Sequence, residues 1–177
     1  MIIEVLRLGH RLPRDERIST HVALVARAFG AEQIHYSGAH DSGLSASVER
    51  IVDKWGGDFD ITYCDLPLEL IREKKSEGYV IAHLTMYGIP VTEASGQLKK
   101  SQKLLLVVGS EHVPSEVYHL SDYNISVTSQ PHSEVAALAI ALDRIMDGAE
   151  LGREFDKKFS GRIRINPSEK GKKIIGD

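Results

Sequence analysis

Five apolar residues in a row, Leu104 to Val108, set the strongest limit on the fold. Side chains of a β-strand point alternately to opposite faces, so a strand with one wet face reads as an alternation. A run without alternation is a strand covered on both faces, the position of an inner strand in a parallel sheet flanked by helices. The rest of the chain has the matching rhythm. Residues 2–8, 33–36, 59–64, 79–84, 103–108 and 124–128 read as strands, the first broken by Gly9. A helix starting between Asp15 and Thr20 carries Ile18, Val22, Val25, Ala26 and Phe29 on one face and ends at Gly30. Further helices are expected over 45–55, 68–77, 114–120 and 131–146, with 85–102 as a long polar connection. This alternation predicts an α/β fold, a mostly parallel sheet with helices on both faces.

A chain of 177 residues, 42% hydrophobic and 27% charged, suits one folded domain rather than a disordered chain. Residues 1–150 are expected to form that domain, and 151–177 a short C-terminal extension. In the extension, 161–166 alternates at period two and Lys172 to Ile175 supplies a partner for a hairpin. The body carries 14 Lys and Arg against 21 Asp and Glu, whereas the extension carries 8 against 4. A second basic group, Arg7, Arg11, Arg14 and Arg17, surrounds Asp15 and Glu16. Two basic places on an acidic body suit a polyanion gripped at defined points. No apolar run approaches the roughly 20 residues of a membrane span. The opening Met-Ile-Ile-Glu-Val lacks a basic n-region, so a cytoplasmic location and no membrane partner are expected. The lone Cys64 excludes a disulfide framework within the chain and a multi-cysteine zinc site.

Ligands of an open parallel sheet bind beyond the carboxyl ends of its strands. Three segments there have suitable composition: Leu84 to Gly88, Val108 to Glu111, and Thr128 to Glu134. Gly109 permits close approach to the main chain. No phosphate loop or dinucleotide fingerprint is present, which argues against nucleotide hydrolysis and dinucleotide chemistry. The eight histidines show no metal-ligand spacing, so no metal is expected. Cys64 reads as a small apolar residue, and Ser110 and Ser133 lack a nucleophile-elbow setting. Glu111 and Glu134 are the acids nearest the crevice; Glu134 also suits a helix N-terminus.

Three segments resemble one family. Residues 6–22 (LRLGHRLPRDERISTHV), 107–114 (VVGSEHVP) and 122–138 (DYNISVTSQPHSEVAAL) are similar to the signatures of the archaeal tRNA cytidine-56 2′-O-methyltransferases of the SPOUT superfamily. The resemblance spans nearly the whole chain. It implies a homodimer with a deep trefoil knot in the C-terminal half, one of the rare exceptions to unknotted chains. It implies S-adenosylmethionine held by Leu84, by Gly109, Ser110, Glu111, His112 and Val113, and by Val127, Thr128, Ser129, Gln130, Pro131, His132, Ser133 and Glu134. It implies tRNA as the partner, at a T-loop nucleotide paired across the tRNA elbow.

A ribose hydroxyl is a very weak acid, so its proton must be taken or its developing charge stabilised. Related 2′-O enzymes use an arginine of the first helix motif, yet the corresponding position here is Leu24. Arg17, with Arg14 second, is the expected replacement, acting on charge, with Asp15, water or an RNA phosphate as proton acceptor. Arg7, Arg11, Arg162 and Arg164 are the expected RNA contacts. The readings set beside this one are a SPOUT enzyme acting on a base nitrogen of tRNA or rRNA, a non-catalytic RNA-binding or nucleotide-sensing module, and a ligand-free structural dimer.

Overall fold

The computed structural model describes residues 1–109, 112–152 and 154–176. Its strands are β1 (Ile2–His10), β2 (Gln33–Gly38), β3 (Asp60–Tyr63), β4 (Val80–Pro90), β5 (Lys103–Val108) and β6 (Tyr123–Ser126). They form one sheet in the order β3-β2-β1-β5-β4-β6, and every neighbouring pair is parallel. Parallel neighbours need a crossover, which the helices supply. These are α1 (Glu16–Ala28), α2 (Ser42–Trp55), α3 (Pro67–Ser76), α4 (Val91–Leu98), α5 (Ser115–Leu120) and α6 (Glu134–Met146).

The apolar run behaves as its composition requires. Leu104, Leu106 and Val108 face the large core under α1, α2, α4 and α6, while Leu105 and Val107 face a smaller core under α3 and α5. All five are buried. On β1 the same parity places Ile3 and Val5 toward the large core and Leu6 and Leu8 toward the small one.

The segment expected as a polar connection, 85–102, is ordered differently. β4 runs on to Pro90, and α4 follows at once. Pairing between β4 and β6 is interrupted after Leu84 and resumes at Ile89, so Ile125 faces both. Residues 85–88 bow away between these two points. Gly88 lies flat against the Asn124–Ile125 main chain, where a Cβ would sit 2.5 Å from backbone atoms. In α4, Val91, Ala94 and Leu98 are buried along one face at i, i+3, i+7. Ser95 and Gly96 weaken that pattern in the sequence.

Other boundaries shift. β1 passes through Gly9, whose positive φ of 65° coincides with a register shift against β2 between Arg7 and His10. α6 begins at Glu134 rather than Pro131, with Ser133 capping the Val135 amide. α2 begins at Ser42 because the Asp41 carboxylate accepts from the Gly43 and Leu44 amides. β6 ends at Ser126, which leaves Val127 and Thr128 in the following loop.

Beyond α6 the chain makes two short 3₁₀ turns, then strands β7 (Arg164–Ile165) and β8 (Ile174–Ile175), which pair antiparallel as the expected hairpin. This segment packs on the C-terminal ends of α1 and α2. Arg27 lies 4.7 Å over the Phe159 ring and donates to the Gly56 carbonyl. No described helix is long and apolar enough to cross a membrane.

Candidate functional site

A crevice of about 570 Å³ opens at the carboxyl ends of β4, β5 and β6. Leu84, Val108, Val113, Ile125, Val127 and Ala137 give it apolar walls. Gly109 belongs to its rim: a Cβ there would lie 2.4 Å from Val113 Cγ2, so any side chain at this turn would displace Val113 from the wall. The bowed segment of β4 contributes Thr85, Met86 and Tyr87.

The polar groups of the wall form a connected set. Tyr118 Oη lies 3.1 Å from Thr85 Oγ1. Asn124 Nδ2 donates to the Tyr118 carbonyl at 3.0 Å, which turns its Oδ1 toward His83 Nδ1 at 2.9 Å. His83 therefore donates from Nδ1, and its Nε2 is left buried with no hydrogen-bond partner. Burial pushes the His83 imidazolium below its usual range, partly offset by Asn124, so the ring is neutral near pH 7.

The opposite wall carries charge. β1 parity sends the Arg7 side chain toward α6, where it is only 2% exposed. Its Nη2 donates to Glu134 Oε1 at 3.1 Å and lies 3.5 Å from Asp15 Oδ2, and its Nη1 donates to the Leu8 carbonyl. Asp15 in turn accepts from the main-chain N–H of Arg11 at 3.1 Å and from Arg11 Nε at 2.9 Å. The Arg11 hydrogen bond, against a smaller opposing effect of burial, holds the Asp15 carboxyl below the usual range. Burial pushes Glu134 the other way, above the usual range, despite Arg7. One guanidinium thus bridges a deeply ionised carboxylate outside the crevice and a desolvated one in its wall.

Arg7, expected as an RNA contact, has its guanidinium inside the fold, held by Glu134, Asp15 and the Leu8 carbonyl. Asp15, expected as a proton acceptor, is buried and saturated by arginines, which makes it a weak base. Arg14 and Arg17 are exposed at the start of α1 and outside the crevice wall, and Arg162 and Arg164 are exposed on the hairpin segment. Of the expected donor contacts, Leu84, Gly109, Val113, Val127, Pro131, His132 and Glu134 line the crevice. His112, Thr128, Ser129, Gln130 and Ser133 do not; the Thr128 hydroxyl accepts from the Gln130 amide and Ser133 caps α6. Ser110 and Glu111 lie outside the described residues. Sequence reasoning missed His83 and Tyr118; single residues in a strand and a one-turn helix carry no spacing signal. Among the described residues no group of three or more His, Cys, Asp or Glu is gathered as a metal site. Burial raises the Cys64 thiol, which keeps it protonated rather than nucleophilic.

A family model described as tRNA ribose 2′-O-methyltransferase, aTrm56, matches residues 55–175. The chain belongs to that family. The tRNA (cytidine(56)-2′-O)-methyltransferase of Methanopyrus kandleri is 50% identical over 170 residues, covering 96% of this chain and 94% of its own. Among solved structures, the A. aeolicus TrmH/SpoU tRNA modifying enzyme shares the fold with a TM-score of 0.64 at 17% identity, over 89% of this chain and 80% of its own. The SpoU methyltransferase AviRb from Streptomyces viridochromogenes, in complex with AdoMet, gives 0.59 at 16%, over 86% and 59%. In this methyltransferase the crevice sits among the strand-end loops that carry the second and third sequence signatures.

Proposed function

We propose that the crevice holds S-adenosylmethionine and that the chain methylates the ribose 2′-oxygen of cytidine 56 in tRNA. The observation that carries this reading is the coincidence of the crevice with residues 107–114 and 122–138, the segments by which the sequence resembles its family. The wall fits the donor. Its volume suits a ligand of that size, Leu84, Val127 and Ala137 offer apolar contact to an adenosine, and Gly109 admits main-chain hydrogen bonding. AviRb, with the same fold, was solved with AdoMet.

When bound, S-adenosylmethionine supplies a methyl group activated by its sulfonium. The chain's task is to orient the ribose and manage its proton. Arg17 and Arg14, exposed at the start of α1, serve phosphate anchoring and stabilisation of the developing alkoxide, because a guanidinium stays charged at neutral pH. Arg11, Arg162 and Arg164 extend the phosphate contacts. The same reading takes the chain as a knotted homodimer in the cytoplasm. The 80% exposed Tyr87 at the crevice mouth is an apolar surface that a second copy would cover. Labelled S-adenosylmethionine with unmodified tRNA tests the proposal. Label confined to one nuclease-resistant linkage at cytidine 56 is the expected result; label on a base, or none, overturns it.

A further inference from the structure

Given methyl transfer from a donor in the crevice, we infer that Glu134 is the catalytic proton acceptor for the ribose hydroxyl and that Arg7 positions it, an assignment that rests on the function proposed above. Among the described residues lining the crevice, Glu134 is the one carboxylate. Among the described residues, Asp15, which shares Arg7 with it, does not line the crevice and is paired with Arg7 and Arg11. Arg7 occupies only Oε1 of Glu134. Its Oε2 makes no hydrogen bond to any described residue, and the side chain retains 20% exposure. The carboxylate is therefore held at one oxygen and open at the other, in the wall of the crevice.

The surroundings suit a base rather than a strut. A buried ion pair adds little stability over an apolar pair of equal volume, so packing alone does not call for an arginine here. Glu134 faces Arg7 from β1, Asp15 and Arg11 from the loop before α1, and shares the crevice wall with His132 and, across it, His83 and Tyr118. Burial and Asp15 favour its protonation while Arg7 and Arg11 oppose it, and the balance lies toward stronger basicity than an exposed glutamate. His83 is neutral, with its Nδ1 hydrogen spent on Asn124.

The step balances without a co-reactant. The 2′-hydroxyl gives its proton to Glu134 Oε2 as the oxygen attacks the methyl carbon. The carbon–sulfur bond breaks, and its electron pair stays on sulfur as a neutral thioether. The carboxylic acid then releases its proton to solvent.

The test is single-turnover methyl transfer to unmodified tRNA between pH 5 and 9, with S-adenosylmethionine affinity measured by calorimetry for each variant. A further readout is ¹³C NMR titration of the Glu134 carboxyl in the donor-free protein. Wild type is expected to gain rate with pH along a first-order acid limb, and the carboxyl to titrate above the ordinary glutamate range. Glu134→Gln is expected to bind donor within a few-fold of wild type, lose about 10²–10⁴-fold in transfer, and lose the acid limb. Glu134→Asp keeps a carboxylate and should retain the limb at reduced rate, which serves if Glu134→Gln does not fold. Arg7→Lys should move the limb to higher pH. Transfer by Glu134→Gln at nearly wild-type rate with the limb intact, or a carboxyl titrating in the ordinary range, overturns the assignment. Failure of wild type to bind the donor overturns the crevice reading itself, and the assignment with it.

Discussion

Arg7 and Glu134 stand 127 positions apart in the chain and meet at 3.1 Å between the end of β1 and the start of α6. The contact ties the first strand to the last helix across the crevice wall. It also brings Asp15, and through it Arg11, into one charged group.

Arg7→Ala leaves two carboxylates without their shared cation. Removing one partner of a buried pair is far worse than replacing both. Urea unfolding at pH 7 should show a loss of about 3–5 kcal/mol. A loss no larger than that of a surface substitution would mean that the group is solvated.

Glu4 forms the second buried charge cluster, on the α3 side. It accepts from Tyr79 at 2.5 Å and lies within 2.9 Å of Lys74 Nζ and 2.7 Å of His35 Nε2. Burial opposes its ionisation, yet Tyr79, His35 and Lys74 together hold it below the ordinary carboxylate range. The unfolded chain therefore binds the proton first. This contribution is present above the ordinary carboxylate range and is lost as pH falls toward the folded pKa. Thermal unfolding from pH 7 to 3 should be steeper for wild type than for Glu4→Gln.

Glu150 behaves in the opposite sense. It is 6% exposed, and neither carboxylate oxygen has a partner. Burial, then the charge of Asp143, raises its pKa. Its ionisation therefore penalises the folded state once pH rises above the ordinary range. Glu150→Gln should raise the melting temperature at pH 7, with the gain fading as pH falls toward the ordinary carboxylate range and absent below it.

Gly88→Ala puts a methyl group 2.5 Å from the Asn124–Ile125 main chain, which has no room to yield. The β4–β6 pairing would open at the crevice floor. A stability loss of about 1–3 kcal/mol together with weakened donor binding by calorimetry is expected.

Arg17→Ala should abolish methyl transfer and leave donor affinity nearly intact, since Arg17 lies outside the crevice wall. Binding of tRNA should weaken steeply with salt. Arg162→Ala and Arg164→Ala should each lower the slope of log affinity against log salt by about one, measured by filter binding.

Much of the architecture was legible in the sequence because it rests on local periodicity. The Leu104–Val108 run identified an inner strand, and the spacing of Val22, Ala26 and Phe29 identified α1. α4 escaped notice since Pro90 precedes it and Ser95 and Gly96 interrupt its apolar face. Within the site, the three strand-end segments were visible from composition. Arg7 was expected among the RNA contacts, and its parity with Ile3 and Val5 sets it on the core face, where it is buried. His83 and Tyr118 had no signal at all.

What the sequence determined by itself is the alternation of strands and helices, the inner position of β5 and membership of a methyltransferase family, since these follow from residue order and backbone period. What the tertiary structure alone decided is which charges are buried together. Strand order sets β1 beside β5 and returns α6 over both, so residues 7, 15 and 134 share one desolvated space. The energy of a charge depends on that shared surrounding and on no property of its own stretch of chain.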